Sequence, residues 1–576
     1  METKQLNTFS KPARKFVPAG FTIDAWNKVE PLFQDLNNRK INSLQDLKKW
    51  LLDRSELEAV LSEDMAWRYI KMTCDTTDKA LTDSFNFFVN EIEPHIAPFN
   101  NSLNKKLMES EFVKDLDKNF QIYIRGVKKA LEIYREENIP LITKLSTDAQ
   151  KYGALVGAMT VEWNGEEITM QKAASFFKNT DRSIREKIFK KIQERKNVDT
   201  DKLNDLFSEL IQLRHQVALN AGFKNYRDYK FAELGRFDYT VQDCFDFHQS
   251  IGKEILPITK EANLERKNAL KLEALKPWDK DVDIHGRPAL KPFETGAELI
   301  DKAIECFTNV RKSYGKYLAI MKEMGHLDLE SKKGKAPGGY NYPLYETGVP
   351  FIFMNAVGTH RDMVTMVHEG GHAIHSIVTR DLEITDFKSI PSEVAELAAM
   401  AMELISMEHW EVFFKNEEEL KRAKKEQLQD ALQTLLWIAA VDKYQHWIYE
   451  NPTHTVEERM NAWKKTINEF SDDLVDWSGF EKEKMRGWQG QLHIFEVPFY
   501  YIEYGMAQLG AIAVWRNYKN NPEKALDQYE AALSLGYTKS IPEIYKTAGI
   551  EFNFSQPYVN ELATFVKSEL NKLVTT

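Results

Sequence analysis

Hydrophobic residues recur every three to four positions along most of the chain, and Lys, Glu and Asp fill the positions between them. This spacing extends over several turns in residues 102–136, 181–196 and 417–450. An apolar stripe with this period is typical of an amphipathic α-helix that packs one face against a core. The pattern therefore predicts a mainly α-helical protein.

Two segments depart from the helical period. Residues 159–170 alternate apolar and polar side chains around an Asn-Gly pair, and Asn-Gly favours the type I′ turn of a β-hairpin. Residues 349–355 form a short apolar run that follows a Gly/Pro-rich loop at residues 333–340. A short apolar run bounded by glycines is typical of a strand, so we expect a small β element there.

Charge and cysteine content narrow the class of protein. The formal net charge of -10 argues against a nucleic-acid-binding protein, which needs a basic face. The three cysteines lie far apart and form no CxxC pair, which suits a reducing compartment. The N-terminus has no signal-peptide core, and no run of 18 apolar residues is present. We expect a soluble cytoplasmic protein without nucleic-acid or membrane partners.

The segment His368-Glu369-Gly-Gly-His372 carries the strongest chemical signal in the chain. On a helix the two histidines lie one turn apart on one face, where both imidazoles reach a single metal ion. Glu369 lies beside them as a general base for a water molecule bound to that metal. Thr359 and Asp362 form a capping box that predicts the start of the helix. The motif therefore predicts one Zn²⁺ per chain.

Two adjacent glycines within this helix distinguish a metal site from an ordinary amphipathic helix with surface histidines. Each glycine costs about 1 kcal/mol relative to alanine in a helix interior. A purely structural helix gains nothing from carrying both. Close approach of another backbone or of a substrate explains them better.

A zinc site that activates water needs a third protein ligand and an open fourth position. The metzincin spacing would place a histidine at position 378, which is Val378. The next helix, residues 391–405, carries acidic residues among alanines and methionines, which are costly to bury without partners. We predict Glu396 as the ligand, with Glu393 as its rival.

Two further residues are predicted to support the ligands. Glu403 lies two helical turns after Glu396 on the same face, and we expect it to accept a hydrogen bond that orients a ligating histidine. His375 lies three residues after His372. We interpret it as a supporting or packed histidine that does not bind the metal.

The segment His368–His375, with Glu396 following His372 by 24 residues and Glu403 seven residues later, resembles the thimet oligopeptidase and oligoendopeptidase F family. Residues 493–510 also resemble the His/Tyr segment of that family, and the similarity is greatest to the oligoendopeptidase F branch. The resemblance implies a mainly α gluzincin-type fold, in which two helical lobes enclose a deep substrate channel. It also implies that the substrates are short unstructured peptides.

The resemblance implies roles for three residues near the C-terminus. His493, Tyr501 and Tyr504 would face the scissile carbonyl and stabilise the oxyanion of the tetrahedral intermediate. A phenol is a neutral donor whose hydrogen bond strengthens as negative charge develops. Tyr500 stays possible as the contacting tyrosine.

Substrate binding is predicted in the strand and loop that precede the zinc helix. If residues 351–355 form an edge strand, an extended peptide can pair with its backbone beside Phe353 and Asn355. The loop at Gly338, Gly339 and Tyr340 would flex over the bound peptide. The alternative is an ordinary flexible connection.

Together these features predict a zinc-dependent endopeptidase that cleaves internal bonds of oligopeptides. We place a helical N-terminal region at residues 1–195 and the catalytic region at residues 196–576. One alternative is a metallocarboxypeptidase or dipeptidyl carboxypeptidase on the same scaffold. Another is a catalytically silent peptide-binding protein, but Glu369 argues against it because binding alone needs no base beside a metal.

Overall fold

The computed structural model describes residues 9–573 except positions 333 and 337, which lie in the predicted Gly/Pro-rich loop. Helices dominate it, so the predicted mainly α fold class is confirmed. The helices up to residue 269 are α1 (Trp26–Asn38), α2 (Leu44–Cys74), α3 (Lys79–Phe87), α4 (Glu93–Glu109), α5 (Phe120–Ile133), α6 (Ile139–Gly157), α7 (Met170–Ser175), α8 (Arg182–Asn220), α9 (Tyr226–Glu233), α10 (Val241–Glu254) and α11 (Leu256–Ala269).

The remaining helices carry the predicted site residues. In chain order they are α12 (Gly296–Val310), α13 (Lys312–Glu323), α14 (His360–Thr379), α15 (Thr385–Lys388), α16 (Ser392–Ser406), α17 (Glu417–Glu450), α18 (Val456–Glu469), α19 (Glu481–Met485), α20 (Leu492–Glu496), α21 (Tyr501–Asn520), α22 (Pro522–Ser534), α23 (Ile541–Thr547) and α24 (Gln556–Lys572). Short 3₁₀ turns lie at Glu111–Asp115, Glu136–Asn138, Phe176–Lys178, Pro277–Asp279, Met407–Val412 and Gly487–Gly490, and a π-helical turn lies at Phe88–Ile92.

The three segments with helical spacing are largely helical in the structure, and one of them is divided between two helices. Residues 417–450 form α17, and residues 181–196 belong to α8, which Asp181 caps. Residues 102–136 divide between α4 and α5. The carbonyl of Asp117 accepts from the amide of Phe120 at 3.1 Å, and its carboxylate accepts from the amide of Asn119 at 3.0 Å. This Asp turn interrupts the helical hydrogen bonds.

The strands form two small sheets. The predicted hairpin is confirmed: β1 (Thr160–Trp163) and β2 (Glu166–Thr169) pair antiparallel, and Asn164 and Gly165 have φ values of 53° and 84°. The second sheet has the order β3-β5-β4 and contains β3 (Leu327–Glu330), β4 (Tyr340–Tyr342) and β5 (Phe351–Ala356). In this sheet β5 is parallel to β3 and antiparallel to β4.

The second sheet is anchored by a small apolar core. Phe351 and Phe353 of β5 pack with Leu344 and with Ala66 and Ile70 of α2, and all five are buried. Their burial fixes the sheet against a long helix of 31 residues. The strand β5, which precedes the helix with the predicted metal-binding histidines, is therefore packed firmly on one side.

The chain forms two compact units, each made of three separate segments. The first contains residues up to Glu132, Lys291–Lys421 and Gly510–Phe552, and the second contains the rest. The predicted boundary at residue 195 falls within α8, and both this division and the predicted channel stay predictions. No helix of the described residues is long and apolar enough to cross a membrane.

Candidate metal centre

Helix α14 presents the predicted metal-binding histidines on one face. Its start is the predicted capping box, in which Thr359 and Asp362 each accept a backbone hydrogen bond from the other. The rings of His368 and His372 lie 5.0 Å apart and nearly perpendicular. One helical turn separates them, so both Nε2 atoms point toward the same place.

Helix α16 brings a carboxylate to the two imidazoles. Glu396 Oε2 lies 3.4 Å from His368 Nε2 and 3.8 Å from His372 Nε2. A zinc ion about 2.0–2.1 Å from each of three tetrahedral ligands places those ligand atoms roughly 3.3 Å apart. The donor set and the spacing therefore fit a zinc ion with three protein ligands.

The two glycines of the motif let α14 lie against its neighbours. A Cβ atom on Gly371 would lie 2.6 Å from the Cα of Ala399 and 2.7 Å from the carbonyl oxygen of Ala398, both in α16. A Cβ atom on Gly370 would lie 2.5 Å from the ring of Phe307. Close approach of a second backbone, predicted from the sequence, accounts for Gly371.

Glu403 fixes the orientation of one of these imidazoles. His368 Nδ1 donates to Glu403 Oε1 at 2.6 Å, on the side of the ring opposite Nε2. Burial acts to lower the pKa of His368, but hydrogen bonds to Glu396 and Glu403 outweigh it and hold the pKa well above its usual value. The hydrogen bond presents Nε2 toward Glu396, which is the geometry that a metal ligand requires.

Glu369 is buried next to the candidate ligands. Burial, reinforced by the charges of Glu396 and Glu403, raises its pKa to about 7. Its Oε2 has no hydrogen-bond partner among the described residues. Its backbone carbonyl accepts from Asn341 Nδ2 of β4 at 3.2 Å, a contact that no sequence motif indicates. A carboxylate with these properties is suited to accept a proton near neutral pH.

His375 and Glu393 lie outside this group of ligand atoms. One nitrogen or oxygen from each of His368, His372 and Glu396 lies within 4.8 Å of the other two, and neither His375 nor the rival Glu393 belongs to that set. His375 is buried, and burial lowers its pKa to about 3. It is a packed histidine of α14.

The strand next to the zinc helix differs from the prediction. The expected edge strand, residues 351–355, is wrong because β5 pairs on one side with β3 and on the other with β4. Phe353 is fully buried, and its ring stacks on Tyr340 at 4.8 Å. Asn355 Nδ2 donates to the carbonyl of Gly338 at 2.9 Å, so this side chain holds the loop. The exposed edge on this side of the sheet belongs to β4.

The second unit gathers the predicted His/Tyr residues into one aromatic cluster. The ring of His493 lies 5.0 Å from Tyr501, 5.8 Å from Tyr504 and 5.9 Å from Tyr500. Gln491 Nε2 donates to His493 Nδ1 at 2.7 Å. The structure thus brings the four residues together, and their role toward a substrate stays a prediction.

A strained turn precedes these tyrosines. Phe499 has a φ of 66°, which is uncommon for a bulky residue. Its amide donates to Gln445 Oε1 at 2.8 Å, and its carbonyl accepts from Arg236, which also donates to Glu503 at 2.8 Å. Three buried side chains support this turn: Arg236 from the turn after α9, Gln445 from α17 and Glu503 from α21. They are far apart in the sequence, so no short motif reveals them.

The sequence model of peptidase family M3 matches residues 175–564, and the M3 N-terminal domain model matches residues 16–134. The chain belongs to peptidase family M3. It is 24% identical over 468 residues to an oligoendopeptidase F homologue of Borreliella burgdorferi, which covers 79% of this chain and 76% of that protein. An oligoendopeptidase F homologue of Lactococcus lactis subsp. lactis is 22% identical and covers 71% and 67% of the two chains.

The fold of the chain agrees with its membership of family M3. The solved structure of PZ peptidase A with inhibitor 2 superposes with a TM-score of 0.90 at 26% identity, covering 97% of this chain and 99% of the other. The predicted family resemblance and the predicted enzyme class, a metallopeptidase, are confirmed.

Proposed function

We propose that this chain is a zinc-dependent endopeptidase that hydrolyses internal peptide bonds of short unstructured oligopeptides. The observation that supports it most directly is the convergence of His368 Nε2, His372 Nε2 and a Glu396 oxygen beside the buried carboxylate of Glu369. Membership of family M3 and relatives named oligoendopeptidase F favour this activity over that of a carboxypeptidase. The three separated free cysteines suit a cytoplasmic enzyme.

The metal-binding residues divide their work. His368, His372 and Glu396 would hold the ion, while Glu403 would keep His368 in the tautomer that offers Nε2. A zinc ion held there supplies a Lewis acid that lowers the pKa of water and polarises a peptide carbonyl. The side chains of His368 and His372 are 19% and 18% exposed, so the face between them is open to a substrate.

Glu369 would move the protons. Its buried Oε2 accepts a proton from the attacking water and then gives it to the leaving amine. Burial raises the pKa of this carboxyl group, which helps it to hold a proton between the two transfers. A glutamine at this position would keep the shape and remove the base.

The His/Tyr cluster would supply hydrogen-bond donors to the oxyanion. His493, Tyr501 and Tyr504 are the proposed donors, and Tyr500 lies within the same cluster. A tyrosine hydroxyl donates without carrying charge, so it favours the transition state over the neutral carbonyl.

We propose that β4 and not β5 pairs with the peptide. Its outer edge offers backbone groups at Tyr340–Tyr342, which bind an extended peptide with little dependence on its side chains. Asn341 ties this strand to the carbonyl of Glu369, so the bound backbone would be registered against the catalytic residue. Gly338 has a φ of 99° and gives the preceding turn its shape.

Mass spectrometry of the products from a mixed peptide library of graded length tests this proposal. Each peptide is supplied with a free and with an amidated C-terminus. An endopeptidase cleaves both forms at internal bonds, because it needs no terminal carboxylate. Loss of cleavage on amidation would overturn the endopeptidase assignment.

The base is tested by Glu369→Gln, with the exposed Glu383→Gln as a matched control. We expect Glu369→Gln to bind zinc normally and to lose about 10²–10⁴-fold in turnover, while Glu383→Gln keeps full activity. Undiminished cleavage by Glu369→Gln with bound zinc would exclude the proposed mechanism.

A further inference from the structure

Helices α10 and α17 of the second unit bring four residues with metal-binding side chains together. Cys244 and His248 lie one turn apart on α10, and Asp442 and His446 lie one turn apart on α17. Their exposed fractions are 0%, 3%, 0% and 2%. None of them belongs to the machinery proposed for peptide hydrolysis.

The atoms of this cluster converge as ligands do. One candidate ligand atom from each of Cys244, Asp442 and His446 lies within 4.8 Å of the other two. His446 Nε2 lies 3.1 Å from Asp442 Oδ2. His248 Nε2 donates to the same carboxylate at 2.8 Å. The separations resemble the 3.4–3.8 Å between the candidate zinc ligands of α14 and α16.

The hydrogen bonds of the cluster are incomplete. The Nδ1 atom of His446 is buried and has no hydrogen-bond partner among the described residues, whereas its Nε2 lies beside Asp442 Oδ2. Asp442 Oδ1 is likewise buried without a partner among them. A neutral histidine carries one N–H and one lone pair, and burying either without a partner is costly. An ion between His446, Asp442 and Cys244 would use that lone pair and the carboxylate together.

We propose that Cys244, Asp442 and His446 bind a second, structural Zn²⁺, with His248 as a positioning residue that holds Asp442. A thiolate and an imidazole select zinc over magnesium or calcium, which prefer oxygen ligands. Carboxylates that bind such ions are themselves held by hydrogen bonds, as Asp442 is by His248. The three proposed ligands are buried, so a substrate has no access to the ion, in contrast to an open catalytic site.

The position of the cluster gives this ion a role. The ring of His446 lies 5.3 Å from that of Phe499, the residue with the strained φ that precedes the tyrosines. A metal ion that fixes His446 would stiffen the surface on which Phe499 rests. Because the ligands are buried, the ion would enter during folding, with release of the Cys244 thiol proton to solvent.

Zinc content of purified protein, expressed with added zinc, tests the proposal. We expect two ions per chain in the wild type, one in the double variant His368→Ala/His372→Ala, and one in Cys244→Ala. The double variant isolates the second site because it removes two ligands of the first. Absence of zinc from a folded double variant would overturn the proposal.

Cobalt substitution provides a readout that does not depend on activity or on counting ions. A thiolate ligand gives cobalt a near-ultraviolet charge-transfer band, and the first site has no cysteine. We expect this band in cobalt-grown wild type and in Cys306→Ala, the matched buried cysteine, and not in Cys244→Ala. Circular dichroism confirms that each variant is folded. Absence of the band from the wild type, or its persistence in Cys244→Ala, would contradict the assignment.

Discussion

The two candidate metal-binding clusters have the same arrangement of helices and differ in exposure. In each, one helix supplies two candidate ligands one turn apart, and a second helix supplies the third. The histidines of the first are nearly one-fifth exposed, whereas Cys244 and Asp442 of the second are fully buried. Helix pairs therefore position ligands equally well in both settings, and access by solvent decides whether an ion can do chemistry.

The residues that surround the two clusters also differ: an acidic residue lies beside the first, and phenylalanines line the second. Glu369, with a raised pKa, adjoins the exposed cluster and can take part in proton transfer. The buried cluster is lined by Phe231, Phe245 and Phe499, whose rings lie 5.0–6.0 Å from His446. An apolar lining excludes water and favours stability over reactivity.

The largest expected effect on activity comes from His372→Ala. We expect turnover to fall by more than the about 10²–10⁴-fold of a missing base, because the ion itself is lost. The free energy of unfolding should change little, since the ring is partly exposed. Steady-state hydrolysis of a fluorogenic peptide and urea titration measure the two quantities. A large drop in stability with retained activity would show that the first cluster serves stability and not catalysis, the opposite of the role proposed for it.

The largest expected effect on stability comes from Arg236→Met in the second unit. The guanidinium of Arg236 pairs with Glu503, and both side chains are buried. Removing one partner of a buried pair costs about 3–5 kcal/mol, which urea-induced unfolding would measure. The double variant Arg236→Met/Glu503→Gln should recover part of this loss. Equal stability of the single variant and wild type would show that the pair contributes nothing.

A smaller effect is expected from Gly371→Ala. The added Cβ would meet the backbone of α16 at 2.6 Å, which forces the helices apart at a cost of about 1–3 kcal/mol and weakens zinc binding. Gly126→Ala in α5 is the control, because nothing lies within 4 Å of its Cβ. That change should stabilise the helix by about 0.5–1 kcal/mol. Thermal unfolding with and without chelator compares them.

The smallest effect is expected from Glu403→Gln. The amide cannot hold His368 as the carboxylate does, so zinc affinity should fall about 10–100-fold. Competition with a chromogenic chelator measures the affinity. His248→Gln makes the corresponding change at the buried cluster. We expect the ion of the buried cluster to dissociate from this variant more slowly than the ion of the first cluster dissociates from Glu403→Gln, because the buried cluster is closed to solvent.

Local patterns carried much of the fold and the first site. The capping box of Thr359, the one-turn spacing of His368 and His372, and the turn at Asn164 each depend on residues within a few positions. Such features obey short-range rules of backbone geometry and helix periodicity. The prediction of Glu396 as a ligand required one further step, the cost of burying an acid among apolar residues.

The prediction that was wrong and the features that were missed depend on contacts between residues that are far apart in the sequence. The strand Phe351–Ala356 looked like an edge because its neighbour β4 has only three residues, too few to show a period. Cys244 and His446 are just over two hundred positions apart, and within its own helix each looks like part of an ordinary helical turn. The positive φ of Phe499 is held by hydrogen bonds from Arg236 and to Gln445, and no pattern in the local sequence predicts it.

The close contact between Gly371 and Ala399 also has a consequence for the order of folding. His372 and Glu396 are 24 positions apart, whereas His248 and Asp442 are separated by nearly two hundred. The entropic cost of closing a loop grows with the logarithm of this separation. The free-energy cost of closing the loop is therefore roughly 2 kcal/mol larger for the second cluster than for the first. The helical hairpin of α14 and α16 can therefore associate early, and the second cluster must wait for the rest of its unit. In pulse-labelled hydrogen exchange, amides of α14 would gain protection before those of α10.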